Sequence, residues 1–199
     1  MRFRTASVGE FFKSRMIEGQ HLYERNTDFL SLPPHDRSIL LHNTVKYVAA
    51  LGSCLIGRAS HILDNPAFYE SAENIYGSNV LSTSIRALDL IDTEGTYIKL
   101  VLALLTFSTY QPTNYTNNDS INLENVKTIF RIQDRYTDLA WRYVVYRCGH
   151  ERATIAFSNL IKCIFSLNKA FAESIERKQY MDIVDSLIKQ TEATFSVAG

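Results

Sequence analysis

Apolar residues recur along most of the chain at intervals of three and four positions, the spacing that places them on one face of an α-helix. Only four prolines and eight glycines interrupt this pattern, and no segment has the length and alternation of a convincing strand. Two segments, 45–56 and 98–107, are apolar on every side of the helix, so we expect them to be buried all round. The pattern predicts an all-α fold.

The composition restricts the classes of function. The 199 residues are expected to form one domain, 1–199. The 21 basic residues equal the 21 acidic ones in number, so no direct nucleic-acid binding is expected. Three widely spaced cysteines predict reduced thiols in the core of an intracellular protein. No metal-binding spacing and no uninterrupted apolar run of membrane-spanning length is present, so we expect no metal, no cofactor and no membrane span.

Prolines, glycines and polar turn residues divide the chain into helical segments. Helices are predicted from Ala6 to about Arg25, from Pro34 towards Leu63, from Leu81 to a pause at Asp92, from there to residue 107, from about Leu123 to Arg147, and from Arg152 to about Tyr180. Asp92 is the predicted N-cap of the fourth helix. Residues 65–80 are predicted to be irregular or a short hairpin that turns at Gly77, and Gly149 is predicted to end a helix. The tail is predicted to be weakly helical.

The stretch FLSLPPHDRSILL, residues 29–41, predicts a tight corner between two helices. Proline disfavours the helical conformation in the residue before it, so the preceding helix is expected to end near Asn26. Pro33 and Pro34 fit the first turn of the next helix, where N–H groups have no partner inside the helix. Asp36 follows in that turn, where its negative charge meets the positive end of the helix dipole.

The same stretch resembles the signature of nuclear receptor ligand-binding domains. The matching positions are Phe29, Leu32, Asp36, Arg37, Leu40 and Leu41, with Arg37 where many members carry Gln. LDLIDTEGTYIKLVLALLTF resembles the family's central helix, which begins with a Glu, here Glu94. IFRIQDRYTDLAWRYVVYRCGHE and RATIAFSNLIKCIFSLNKAF resemble its last two long helices. The resemblance covers roughly residues 6–180 and implies a three-layer antiparallel helical sandwich, without a DNA-binding domain and without the first helix of the domain.

The resemblance implies a function in transcription. The chain would be the ligand-binding and dimerisation domain of a regulator in the nucleus, or alternatively the cytoplasm, that binds a small hydrophobic ligand or a protein partner. The alternative is a constitutive dimerisation or scaffold domain without ligand, because eleven Phe and eleven Tyr could fill the cavity. An unrelated helical scaffold that matches by chance is a third hypothesis. No catalytic constellation stands out, so an enzyme is not expected.

The resemblance also suggests two binding regions. By analogy, a ligand pocket would lie between the first two long helices and would be lined by Phe11, Phe12, Arg15, Val45, Ala49 and Ile56. The coactivator groove would contain Glu24, Arg25 and His42, with Glu24 where the family has a Lys. The family's short C-terminal activation helix, with its Glu, has no clear counterpart, because residues 193–198 contain no acid. We therefore expect weak or no binding of coregulator peptides.

Two further expectations concern the last long helix. The family has an Arg that pairs with the Glu94 position, and the aligned residue here is Ala156. Arg152 lies one turn earlier on the same face and is the expected substitute. The outward face of this helix, expected to mediate homo- or heterodimerisation, would carry Asn159, Lys162, Cys163, Ser166 and Ala170.

Overall fold

The computed structural model describes residues 5–92, 94–108, 122–174 and 178–197, with some side chains left out within 5–18, 171–183 and 196–197. Within these ranges the chain is all-α, as predicted, and has no strand. The α-helices are α1 Thr5–Glu24, α2 Thr27–Leu30, α3 Pro34–Ala59, α4 Pro66–Tyr76, α5 Ser78–Leu88, α6 Gly95–Thr106, α7 Val126–Ser174 and α8 Lys178–Val197, and a 3₁₀ helix covers Ile62–Asp64.

The predicted corner exists and contains a short helix of its own. The side chain of Asn26 accepts hydrogen bonds from the backbone N–H groups of Asp28 and Phe29, which caps α2. Pro33 is the N-cap of α3, so only Pro34 lies within its first turn. Helix α1 thus ends at Glu24, α2 forms a single turn, and α3 begins at Pro34, ten residues after the end of α1.

The prediction of irregular structure at 65–80 is wrong, because this stretch forms α4 and the start of α5. The side chain of Asn65 caps α4 through the N–H groups of Ala67 and Phe68, and Pro66 occupies the first helical position. Gly77 is a turn residue, as predicted, but it separates two helices, with φ of 90°.

Helix α7 folds back on itself at Gly149, whose φ of 80° and ψ of 166° are not helical. Trp141 and Phe157, each eight residues from Gly149, make an edge-to-face contact with ring centroids 5.2 Å apart. Such a contact requires the two halves to lie side by side. We call residues 126–148 the first arm of α7 and residues 150–174 its second arm.

Helix α3 lies at the centre of the main core. It packs against α1 and α8 and also against α5, α6 and α7. Among the described residues it is the one helix long and apolar enough to cross a membrane by length and composition, but 56% of its most apolar window is buried within the fold. Core helices pass the same test, so this feature is weak support for a membrane span.

A second, smaller cluster lies where the start of α1 meets α4 and α5. Its buried members are Val8, Phe68, Ala72, Ile75 and Leu81. Tyr76 packs against both this cluster and the main core. The region is therefore filled by side chains from three helices.

Candidate functional site

Asp36 joins the corner to the start of α7. Its side chain is fully buried and accepts hydrogen bonds from the backbone N–H groups of Glu124, at 2.8 Å, and Asn125, at 3.0 Å. The side-chain amide of Asn125 donates a third bond, at 2.9 Å. Three donors balance the loss of hydration of a buried carboxylate. Asp36 therefore fixes the position of α7 in addition to lying in the first turn of α3.

A second set of polar contacts strengthens this junction. The Tyr136 hydroxyl donates to Asp28, at 3.0 Å, and accepts from the Asn26 amide, at 3.1 Å. Arg135 forms an ion pair with the other oxygen of Asp28, at 2.6 Å. The ring of Tyr136 stacks on Phe107 with centroids 5.7 Å apart. The first arm of α7 is thus held to α2 and to the end of α6 by side chains distant in sequence.

Glu94 caps α6 and joins it to the first arm of α7. Its carboxylate accepts from the backbone N–H groups of Thr96 and Tyr97 and from the Tyr143 hydroxyl, at 2.8 Å. These bonds, led by those from Thr96 and Tyr97, lower the pKa of Glu94 from 4.5 to about 2. Asp92, the predicted N-cap, instead accepts from the backbone N–H of Glu94.

The basic residue that pairs with Asp92 and Glu94 is Arg147 and not the expected Arg152. Arg147 lies 2.8 Å from Asp92 and 3.9 Å from Glu94, whereas Arg152 is exposed. Arg147 lies at the end of the first arm, one turn after Tyr143, which bonds to Glu94, whereas Arg152 lies beyond the fold-back at Gly149.

The residues predicted to line a ligand pocket lie at different places in the core. Val45 and Ala49 are buried, Ile56 is half-buried, and Phe11 contacts Phe68 edge to face at 5.4 Å in the smaller cluster. The side chains of Phe12 and Arg15 lie outside the described residues.

Helices α1 and α3 touch where the pocket was expected. A Cβ built on Gly19 would lie 3.5 Å from the Cα of Ala49, so the two backbones are in close contact there. Such a separation is ordinary van der Waals contact and excludes a ligand between these two residues.

The positions predicted for a coactivator groove lie beside the end of α8. Glu24 accepts hydrogen bonds from Gln20 and Thr194, and His42 lies 3.6 Å from Glu192, while Arg25 is exposed. Partial burial alone would raise the pKa of Glu24, but the bonds from Gln20, Thr194 and His21 outweigh it and lower the pKa. The tail predicted to be weakly helical is a regular helix that covers this region.

The end of α8 is held there by packing as well as by polar contacts. Phe195 lies on Phe29, with centroids 5.9 Å apart, and the Arg37 guanidinium lies 5.2 Å from the centre of the Phe195 ring. Glu192 accepts a hydrogen bond from Ser38 at 2.9 Å. The signature corner thus binds the last turns of the chain's own C-terminal helix.

The predicted dimer face is only partly outward. Cys163 and Ala170 are buried in the core and Asn159 and Ser166 are half-buried, so only Lys162 is exposed. The side that turns outward carries Ile155, Ile161 and Phe165, which are 57%, 53% and 58% exposed. Lys162 and Lys169 are exposed on the same side. We call these five residues the outer face of α7.

The sequence contained a signal for this outer face. The second arm carries more apolar residues than one side of a helix can hold, so some of them must face outward. Beside the outer face, α5 and α7 leave an open cleft of about 260 Å³ lined by Thr83, Arg86, Ala87, Leu90 and Ser166.

Neither a metal centre nor an activated thiol is found in the part of the chain that the structure describes. No group of three or more His, Cys, Asp or Glu side chains there could hold a metal ion. All three cysteines are free. Burial raises the pKa of Cys54 and of Cys163 to about 12, so both thiols are protonated at neutral pH and are poor nucleophiles.

Comparison of the chain with models of known protein families, with curated proteins and with solved structures gives no significant match.

Proposed function

We propose that this chain is a divergent ligand-binding domain of the nuclear receptor type that acts as a protein-interaction domain with a filled interior. The proposal is supported at the signature positions. Asp36 fixes the start of α7, and Glu94 caps α6 and pairs with Arg147. Two positions that carry the resemblance therefore join distant helices, which is a structural reason for those residues to occur there.

The packing of α3 is consistent with a three-layer arrangement. A helix in the middle layer of a sandwich contacts helices on both sides, and α3 packs against α1 and α8 as well as α6 and α7. We propose that α3 and α6 form this middle layer. Their central segments are the two that the sequence marks as apolar all round.

The observation that carries the function is the outer face of α7. Three large apolar side chains on one helix face are each more than half exposed. Single exposed apolar residues are common, but Ile161 and Phe165 lie one turn apart, and neighbouring exposed apolar side chains mark an interaction surface. The contact of Gly19 with Ala49 supports the alternative without ligand, because this part of the predicted pocket is closed.

The proposal is tested by fusing the chain to a sequence-specific DNA-binding domain and measuring transcription of a reporter gene. We expect the fusion to change transcription and Ile155→Asp with Ile161→Asp to abolish the change. Phe130→Asp is the matched control, because Phe130 is 46% exposed but lies on the first arm. An unchanged reporter, or equal loss with the control, would overturn the proposal.

The filled interior has a separate test. Native mass spectrometry of the purified chain is expected to show the mass of the polypeptide alone, before and after incubation with a mixture of fatty acids and sterols. A stoichiometric adduct that Ala49→Leu removes would show that the chain is a ligand-binding receptor and that the filled-interior proposal is wrong.

A further inference from the structure

The outer face of α7 lies next to a cleft of different chemistry. An α-helix turns by 100° per residue, so Ile161 and Phe165 are neighbours on one side and Ile155 and Lys162 lie towards Ser166. Ser166 lines the cleft with Thr83 and Arg86 of α5. Apolar surface and polar cleft are therefore parts of one continuous surface.

The charge of this surface is positive. Arg86, Lys162 and Lys169 are exposed, and none of them forms an ion pair within the described part of the chain. Of the described acids nearby, Asp89 is paired with Arg58 at 3.4 Å and Glu151 lies at the start of the second arm. Glu151 is on the same side as Ile155 but lies eleven residues before Lys162, so no described acid on this surface pairs with the three cations.

From these charges we infer that the outer face of α7 binds an amphipathic helix of another protein, with acidic residues flanking its apolar stripe. The inference rests on the proposed function and names the class of partner. Apolar side chains of the partner would cover Ile161 and Phe165, and its carboxylates would pair with Arg86, Lys162 and Lys169. Opposite charges at the rim give such a contact its specificity.

The same charges argue against a second copy of this chain as the partner. In a symmetric dimer the same patch faces itself, so Lys162 and Lys169 of one copy would meet those of the other. Like charges brought together at an interface disfavour the wrong partner. A heterologous partner with acidic residues has no such repulsion.

The test uses three labelled helical peptides with the same leucine stripe, whose flanking positions are all Glu, all Gln or all Lys. Fluorescence anisotropy with the full chain is expected to show binding of the Glu peptide about tenfold tighter than that of the Gln peptide, as two or three exposed ion pairs would give. No binding of the Lys peptide is expected, and added salt is expected to reduce the preference.

A charge-reversed variant makes the test specific. The variant Lys162→Glu with Lys169→Glu is expected to bind the Lys peptide most tightly. The control variant, Lys127→Glu with Arg131→Glu on the first arm, should keep the wild-type order of peptide affinities. Equal binding of all three peptides, no binding, or an unchanged order with the charge-reversed variant would overturn the inference.

Two results separate this inference from the proposed function. If sedimentation shows a dimer that Ile161→Asp disrupts, while the Glu peptide does not bind, the inference about the partner is wrong and the interaction surface stands. If the reporter is insensitive to Ile155→Asp with Ile161→Asp, the proposed function itself fails.

Discussion

Asp36 illustrates how a single buried charge can hold two distant parts of a chain together. Its side chain has no solvent exposure, and three donors from residues 124–125 surround its two oxygens. The bonds satisfy the backbone N–H groups of Glu124 and Asn125, directly before the first residue of α7. The residue thus acts on a helix that begins ninety residues later in the chain.

We predict that Asp36→Ala lowers the free energy of unfolding by about 2–4 kcal/mol, because it removes three hydrogen bonds to a buried carboxylate. Urea denaturation of the purified chain measures this change. Asp138→Ala is the matched control, since Asp138 forms an exposed ion pair with Arg142 and should change the free energy by about 0.5 kcal/mol or less. Equal effects of the two substitutions would show that the Asp36 bonds do not stabilise the junction.

The lowered pKa of Glu94 predicts that the free energy of unfolding depends on pH. Its pKa falls from 4.5 in the unfolded chain to about 2 in the folded one, so its contribution is present above pH 4.5 and is lost as the pH falls towards 2. We expect the unfolding free energy of Glu94→Gln to decline less steeply than that of the wild type over this range. Denaturation curves at several pH values provide the measurement, and parallel declines would contradict the assignment.

At the scale of elements, the fold-back at Gly149 decides how α7 packs. A residue with φ of 80° and ψ of 166° is in a region that essentially only glycine adopts. The turn brings Phe157 to Trp141 and separates Arg152, which follows it, from Arg147, which precedes it and pairs with Asp92. Without it, residues 126–174 would be one straight helix, and Trp141 and Phe157 could not touch.

Gly149→Ala is predicted to destabilise the chain by about 1–3 kcal/mol through backbone strain alone. No atom lies within 4 Å of a Cβ built at Gly149 or at Gly95, and of these two glycines only Gly149 has a positive φ. Gly95→Ala is therefore the control and should change stability by about 1 kcal/mol or less. Similar melting temperatures for both variants would mean that the Gly149 conformation is not strained for alanine.

At the scale of the whole molecule, α8 covers the corner that carries the resemblance. Phe195 packs on Phe29, and Glu192 contacts Ser38 and His42. A helical peptide that bound to this region would have to displace these contacts. The negative charge of Glu24 would also repel the carbonyl end of such a helix.

We therefore predict no micromolar binding of an LxxLL peptide to the full chain, as measured by fluorescence polarisation. Phe195→Ala removes the contacts with Phe29 and Arg37, so the end of α8 is held less firmly on the corner. The variant should therefore bind the peptide more tightly than the wild type. Leu139→Ala, an exposed apolar position on the first arm, is the control. Micromolar binding by the wild type, abolished by His42→Ala, would contradict this prediction.

Local interactions made a large part of the structure predictable. The all-α class follows from spacing, and the corner follows from two prolines and a capping Asn. The end of a helix at Gly149 was predictable too, because glycine is the commonest residue where a helix ends. The failure at 65–80 has a local cause, since Asn and Pro occur both where a helix ends and where one begins, and Asn65 and Pro66 begin α4.

The sequence alone determined where most helices form, because capping, proline geometry and apolar spacing act within a few residues. Tertiary structure decided which side of each helix is covered. Cys163 is buried and Ile161 exposed because α5 and the first arm of α7 pack on one side of the second arm. It also decided that Arg147 pairs with Asp92 and that α8 lies on the corner. Such pairings join residues 55 to 166 positions apart, and their choice depends on how the helices pack.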